Sequence, residues 1–279
     1  MKKWLALTAL LLAVIAFSSC SKKQDGMNYK ETEGGLAITG YSDKTTVTEL
    51  VVPDEIGGVP VVRIEDFGIC NAESLTKITL GKNVASLGGW AMTNNQHIVS
   101  YEVDPANEYF TSVDGVLFSK DMKTLYCYPC GRNINFDKYG RTEDTTEYRI
   151  PDGVETIATK AFYKCYYVDV TYIPDSVSRI EEKAFHRASA MTGLTLPAHL
   201  EYIGKDAFAY AFGASDDKEK LDITIPASIK EIGEYAFFND DGINSVTVLA
   251  KEEDVTLGAK WQPTSKGKII GDCAVTFAP

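Results

Sequence analysis

The sequence predicts a strand-rich solenoid. Three observations carry that prediction: a repeated phrase, a fixed spacing between its copies, and an apolar pattern inside each copy that changes from alternation to steps of three and five. Four copies read almost identically, Ile150-Pro151 to Ala161-Phe162, Ile173-Pro174 to Ala184-Phe185, Leu196-Pro197 to Ala207-Phe208 and Ile225-Pro226 to Ala236-Phe237, and the first three begin 23 residues apart. A unit this small cannot bury an apolar face by itself, so the copies must stack on one another.

The chain begins with a segment that does not belong to the stack. Met1 to Trp4 is a short positive start, and Leu5 to Phe17 is an apolar run too short to span a bilayer, as expected of a signal peptide over residues 1–19. Ser18-Ser19-Cys20 resembles the lipobox of bacterial lipoproteins, which makes Cys20 the expected lipid-modified residue; an ordinary secretory signal is the alternative. Residues 20–28 read as a lipid-anchored tether, and residues 29–279 as one repeat domain with end caps.

Composition fits a folded, exported domain: 44% of residues are hydrophobic and 24% charged, ordinary globular proportions. The net charge is −11, and about −13 without Lys2 and Lys3. That balance disfavours nucleic acid and direct docking on anionic lipid, both of which call for a basic face.

Within each copy an extended piece precedes the Pro, with core-facing residues such as Leu75, Ile78, Leu80; Ile98, Tyr101, Val103; Met191, Leu194, Leu196; and Ile243, Val246, Val248. The Pro ends the strand because it has no N–H for a ladder. An arm follows with apolar residues three apart: Val84 and Leu87, Val154 and Ile157, Val177 and Ile180, Leu200 and Ile203, Ile229 and Ile232. Five residues later comes a large side chain, Met92, Phe162, Phe185, Phe208 or Phe237, which predicts a tight helical or 3₁₀ turn that plugs the coil.

Departures from the period locate insertions. Gly57-Gly58-Val59-Pro60 predicts an extra turn, and Asp114-Gly115 between apolar pieces predicts a hairpin, followed by a strand over Leu125 to Tyr128. Gly213 to Lys220 predicts a polar loop that leaves the wall. Tyr29 to Tyr41 and Lys266 to Pro279 are the expected caps.

The phrase Ile-Pro-x-x-Val-x-x-Ile-x-x-x-Ala-Phe, the opening Leu36 to Tyr41 and the island Asp114 to Lys120 resemble the BspA-like leucine-rich repeat proteins over about Tyr29 to Leu257. The resemblance implies an α/β leucine-rich repeat solenoid, strand-rich, with a parallel sheet along one side and short extended arms and 3₁₀ or helical turns on the other. It also implies a lipid-anchored protein in the envelope of Gram-negative anaerobes, exposed on the outer membrane. Family members studied as adhesins bind host matrix proteins such as fibronectin, although a scaffold does not fix a ligand.

The sequence offers little to an enzyme. His97, His186 and His199 show no metal-ligand spacing, no Gly-x-Ser-x-Gly elbow occurs, and the Gly pairs lack a following Lys-Ser or Lys-Thr. No cofactor or metal is expected. Asp216-Asp217 and Asp240-Asp241-Gly242 read as solvated turns. Cys70 and Cys165, each three residues after a Phe, read as small packed residues without a bonding partner in the next copy, and Cys127 and Cys130 as a local disulfide or two packed thiols.

Ligand contacts are then expected on the outward side chains before each Pro, Thr79, Glu102, Arg149, Tyr172, Thr195, Thr224 and Thr247, stacked in a strip at about 4.8 Å. Tyr163, Tyr166, Tyr167 and Tyr172, with Arg149, are the residue types enriched where proteins meet. The expected function is non-enzymatic, adhesin-like binding of a protein ligand. Glycan recognition, or a structural part in an envelope complex, is the alternative.

Overall fold

The computed structural model describes residues 22–24, 26–42, 46–135, 145–213, 220–265, 268–269 and 273–279. The signal segment, Cys20 and most of the polar loop, residues 214–219, lie outside the described residues. Strands Met27–Thr32 and Gly35–Tyr41 form an opening hairpin, and Lys22–Gln24, inside the expected tether, pairs antiparallel with Met27 to Tyr29.

Each coil then contributes two extended pieces. The strand ahead of the Pro joins short parallel ladders: Glu49–Val52 with Lys77–Leu80 and Ser100–Val103, Thr146–Arg149 with Val168–Tyr172, and Leu221–Ile225 with Ile243–Val248 and Ala274–Phe277. The arms make the longer run, from Thr124–Cys127 through Thr156–Ile157, Arg179–Ile180, Tyr202–Ile203 and Glu231–Ile232 to Thr256–Leu257. Parallel pairing therefore lies along both faces, and the more continuous ladder is the one built from arms. The Met191 to Leu196 piece is not a strand. There the Thr192 amide and hydroxyl both bond the Asp169 carboxylate, at 3.1 and 2.6 Å, in place of ladder bonds.

The α/β label and the helical turns need correction. No α-helix occurs among the described residues, and their one helical element is the 3₁₀ turn Glu252–Asp254. Nor is any described helix long and apolar enough to cross a membrane. Around the Phe plugs the amides alternate. Ala161, Tyr163 and Cys165 donate three residues back along the chain, while Lys160, Phe162 and Lys164 donate to Glu182, Ala184 and His186 of the next coil, at 3.0, 2.7 and 2.9 Å. A helix would turn all of its amides inward along its own axis. Here every second amide is spent on stacking, and the residues two before and two after the plug adopt positive φ, as at Lys160 (61°) and Lys164 (59°).

The plugs form a column. Tyr128, Phe162, Phe185, Phe208 and Phe237 stack with ring centroids 5.0 to 5.3 Å apart, and all are buried. In the first coil the plug is Ile69, five residues after Ile64, whereas Phe67 is 54% exposed. Ala72, and not Cys70, is thus the counterpart of Cys165 in that coil.

The insertions fall where expected. Val113 pairs with Val116 across Asp114-Gly115, whose φ values of 52° and 79° suit the two-residue turn. Glu55–Ile56 pairs with Val59–Pro60 across Gly57-Gly58. The core divides at the Asp114-Gly115 hairpin into an N-terminal cluster from Met27 to Leu117 and a C-terminal one from Val116 to Trp261.

Candidate binding surface

The positive-φ positions beside each plug decide what the turns display. A left-handed residue points its side chain away from the coil axis, and in three turns the residue just after the plug, Tyr163, His186 or Phe238, is also partly exposed, whereas Ala209 is buried. In successive turns these places hold Phe67, Tyr163, His186, Tyr210, Tyr235 and Phe238, and Trp90, two residues before the plug Met92 but without positive φ, lies beside Phe67. The rings make a broken aromatic strip: Phe67 to Trp90 at 5.3 Å, Tyr163 to His186 at 5.3 Å, His186 to Tyr210 at 5.5 Å, Tyr210 to Phe238 at 5.6 Å and Tyr235 to Phe238 at 5.2 Å.

Cations are interleaved with these rings on a chain that is acidic overall. Lys183 bonds Glu182 and Asp206 at 2.8 and 3.0 Å, and Lys205 bonds Glu234 at 2.6 Å. Lys164 donates to Asn94 at 2.7 Å, and the Arg187 guanidinium lies 4.8 Å from the Tyr210 ring centre. Burial, with Arg187, Lys183, Lys160 and Lys164 nearby, holds His186 down to about 4, so it is neutral at neutral pH and contributes a ring to the strip.

The sequence-predicted residues fall into separate groups. Arg149 stacks on Tyr172, 4.1 Å from the ring centre, on the strand face. Tyr166 and Tyr167 contact each other edge to face at 6.3 Å. Tyr163 belongs to the turn strip with His186. Thr195 is exposed but sits in the piece that is not a strand, so the expected continuous strip before the Pro is interrupted there. On either side of that break the strip survives in part: Thr79 pairs with Glu102, and Thr224 with Thr247. Sequence reading missed His186, Tyr210, Tyr235 and Phe238 as surface residues. Their signal was present in the fixed offsets from Ala-Phe, but a turn taken as helical does not reveal which offsets face out.

Two further sequence readings change. Cys130 and Cys165 form a disulfide across 35 residues, so Cys165 has a partner and Cys127 does not pair with Cys130. Burial pushes the Cys127 thiol up to about 12, which keeps it protonated and unreactive. Asp240, expected in a solvated turn, is completely buried. His97 bonds the Glu73 carbonyl at 2.8 Å, and His199 is exposed. Among the described residues no group of three or more His, Cys, Asp or Glu side chains is placed to hold a metal ion.

Comparison with known families decides the classification. The model of the BspA type leucine-rich repeat region matches six copies, over residues 41–129 and 132–256. The chain belongs to this BspA-type repeat family. A leucine-rich cell surface protein from Faecalibacterium prausnitzii is similar at 19% identity over 86% of this chain and 73% of that one, with a TM-score of 0.44. A leucine-rich repeat protein from Bacteroides ovatus is similar at 16% identity over 85% and 67%, with a TM-score of 0.41. The pneumococcal vaccine antigen PcpA is similar at 16% identity over 86% and 78%, with a TM-score of 0.39. No curated protein matches the chain. In this BspA-type chain the arm, Ala and plug positions recur from copy to copy, and the strip residues occupy places that differ between copies.

Proposed function

We propose that this BspA-type chain is a non-enzymatic, adhesin-like binding protein of the cell surface, held at the outer membrane by lipid on Cys20, whose ligand is a protein such as a host matrix protein. The observation that supports this reading is the aromatic and cationic strip. Rings and cations are the side chains that dominate protein contacts, and in this chain they occupy turn positions that the core does not need. Tyr163 lies in the strip, Tyr166 and Tyr167 follow it in the same turn, and the Arg149–Tyr172 pair and Thr195 provide the neighbouring strand-side contacts.

The test is binding of residues 21–279 to an array of matrix proteins and glycans. Two variants accompany it, Tyr163→Ala with Tyr210→Ala, and Tyr166→Ala with Tyr167→Ala and Tyr172→Ala. A protein ligand lost about tenfold or more in either variant supports the reading and assigns the face. Binding of glycans alone, or of nothing in the array, removes the protein-ligand reading. The anchor is tested separately: Cys20→Ala moves the protein from the membrane to the soluble fraction, and retention in the membrane excludes lipid on Cys20.

A further inference from the structure

The turn strip holds a recess whose chemistry names the kind of segment it takes. Just after the plug Phe208 stands Ala209, where Tyr163, His186 and Phe238 carry rings in other coils. Tyr210 supplies the ring in this coil, its centroid 5.5 Å from that of His186 and 5.6 Å from that of Phe238. Beside it lies a recess of about 570 Å³, lined by Tyr210, Tyr235, Phe238, Lys205, Lys260 and Asp206. That volume is in the range of pockets that receive a ligand. The three rings are not packed as the core plugs are. Phe185 and Phe208 lie at 4° and cover each other's faces, whereas Phe238 meets Tyr210 at 67° and Tyr235 at 80°. An edge-to-face pair occupies a face of one ring only, so this partly exposed cluster keeps ring faces that its own contacts do not use. An aromatic side chain gains most by entering it.

The charges around the rings divide into paired and unpaired groups. Lys183 lies between Glu182 and Asp206, at 2.8 and 3.0 Å, and Lys205 bonds Glu234 at 2.6 Å. Arg187 and Lys260 differ: both are exposed, and among the described residues neither forms an ion pair. The Arg187 guanidinium lies 4.8 Å from the Tyr210 ring centre, and Lys260 Nζ lies 5.9 Å from that of Tyr235. Arg187 stands one coil before Tyr210 and Lys260 one coil after Tyr235, as the amides of Arg187, Tyr210 and Tyr235 show by donating to Ala209, Phe238 and Ala259. The two free cations are thus three coils apart, about 14 Å, roughly the reach of four extended residues.

We propose that this recess receives an extended acidic segment of the protein ligand, with an aromatic side chain among Tyr210, Tyr235 and Phe238 and a carboxylate on either side, one meeting Arg187 and the other Lys260. The proposal rests on the protein-ligand reading above and names the segment that reading leaves open. Each carboxylate gains a charge-assisted hydrogen bond, and the same two cations reject a basic segment.

The capped peptide Asp-Gly-Phe-Gly-Asp is the probe, with Asn-Gly-Phe-Gly-Asn and Asp-Gly-Ala-Gly-Asp for comparison, titrated into residues 21–279 by calorimetry and by the ring resonances of Tyr210 and Tyr235. The acidic aromatic peptide is expected to bind about tenfold more tightly than either comparison peptide. It should lose its advantage over the Asn peptide in Lys260→Gln and in about 0.5 M salt, while Lys82→Gln, an exposed lysine of the N-terminal half, leaves binding unchanged. Equal affinity for the Asp and Asn peptides, undiminished binding in Lys260→Gln, or ring resonances unmoved by millimolar peptide would each overturn the proposal. The resonances of the unmodified protein decide the matter even if the variant folds poorly. Binding of sialyllactose in place of the peptide overturns it in favour of an acidic glycan.

The same variant separates this proposal from the function it rests on. A matrix protein that is captured by the chain, lost in Tyr163→Ala with Tyr210→Ala, and retained in both Lys260→Gln and Tyr235→Ala leaves the function standing and overturns the recess. Peptide bound at the recess, with no protein captured from the array, removes the matrix-protein reading and supports the recess.

Discussion

The two halves of the solenoid solve the same stacking problem with different side chains. In the C-terminal half the spacing is regular, and identical rings fall one above another: Phe162, Phe185 and Phe208 stack with interplanar angles of 12° and 4°. In the N-terminal half the spacing is irregular and the plugs are Ile69 and Met92, which have no ring to stack. Buried amides fasten the coils there instead. Asn95 donates to the carbonyls of Ile69 and Met92 at 2.7 and 3.1 Å and accepts from the Ala72 amide at 2.9 Å. Asn107 donates to Gly81 and Val84, both at 2.9 Å. A strict period permits a column of identical rings, whereas an interrupted one needs directional bonds made individually.

The largest effect should come from the ring column. Phe185→Ala removes a fully buried ring held between two others and should cost about 3 to 5 kcal/mol in denaturant unfolding, whereas Met92→Ala, whose flexible side chain has no stacked neighbours, should cost about 2 to 3 kcal/mol. Equal losses would mean that the two halves gain the same from their plugs and that the ring geometry adds nothing.

The first bond beyond the seam, on its C-terminal side, comes next. The Cys130–Cys165 disulfide joins the coil of Tyr128 to the first regular one. Replacing both cysteines by serine should cost about 4 kcal/mol, the scale expected for a closed loop of this length. Hydrogen exchange should locate the loss. Amides near Tyr128 and Ala161 should exchange faster, while those of the pair Ile38 and Ile64 in the opening sheet should not change. Uniform acceleration along the chain would show one cooperative stack in place of two halves with a seam.

Much of this was legible from residue spacing. The arm residues Val154, Ile157, Val177 and Ile180, the Phe plugs, the Asp114-Gly115 hairpin and the Gly57-Gly58 turn all follow from period and turn chemistry, because each depends on neighbours in the chain or at a constant offset. Three features did not follow. The disulfide spans an interval that matches no repeat, so offset reasoning had no place for it. Several left-handed turn residues, Lys160, Lys164, Lys183 and Arg187, are helix formers whose local preference is overridden by amides shared between coils. Asp240 looked solvated because Asp-Asp-Gly usually is, and its burial depends on the coil before it.

That Asp240 provides the finest test of the comparison, because it occupies in the C-terminal half the place that Asn95 holds in the N-terminal half, three residues after the plug. One oxygen accepts from the Phe212 amide at 2.8 Å, and the other has no partner. Burial raises its pKa well above the ordinary carboxyl range, and Asp241 adds to the effect. The folded chain therefore holds a proton that the unfolded chain has released above about pH 4, so stability falls as pH rises from there toward the folded value. Asp240→Asn keeps the acceptor, supplies donors as Asn95 does, and removes the proton linkage. It should raise stability at pH 8 by about 1 to 2 kcal/mol and change little at pH 4. The reciprocal Asn95→Asp removes two donated bonds and should cost about 2 kcal/mol at pH 8. Unfolding midpoints of both variants across that pH range are the measurement. A pH-independent response of Asp240→Asn would mean that the buried carboxyl is already charged and balanced, and the two halves would then differ in their plugs alone.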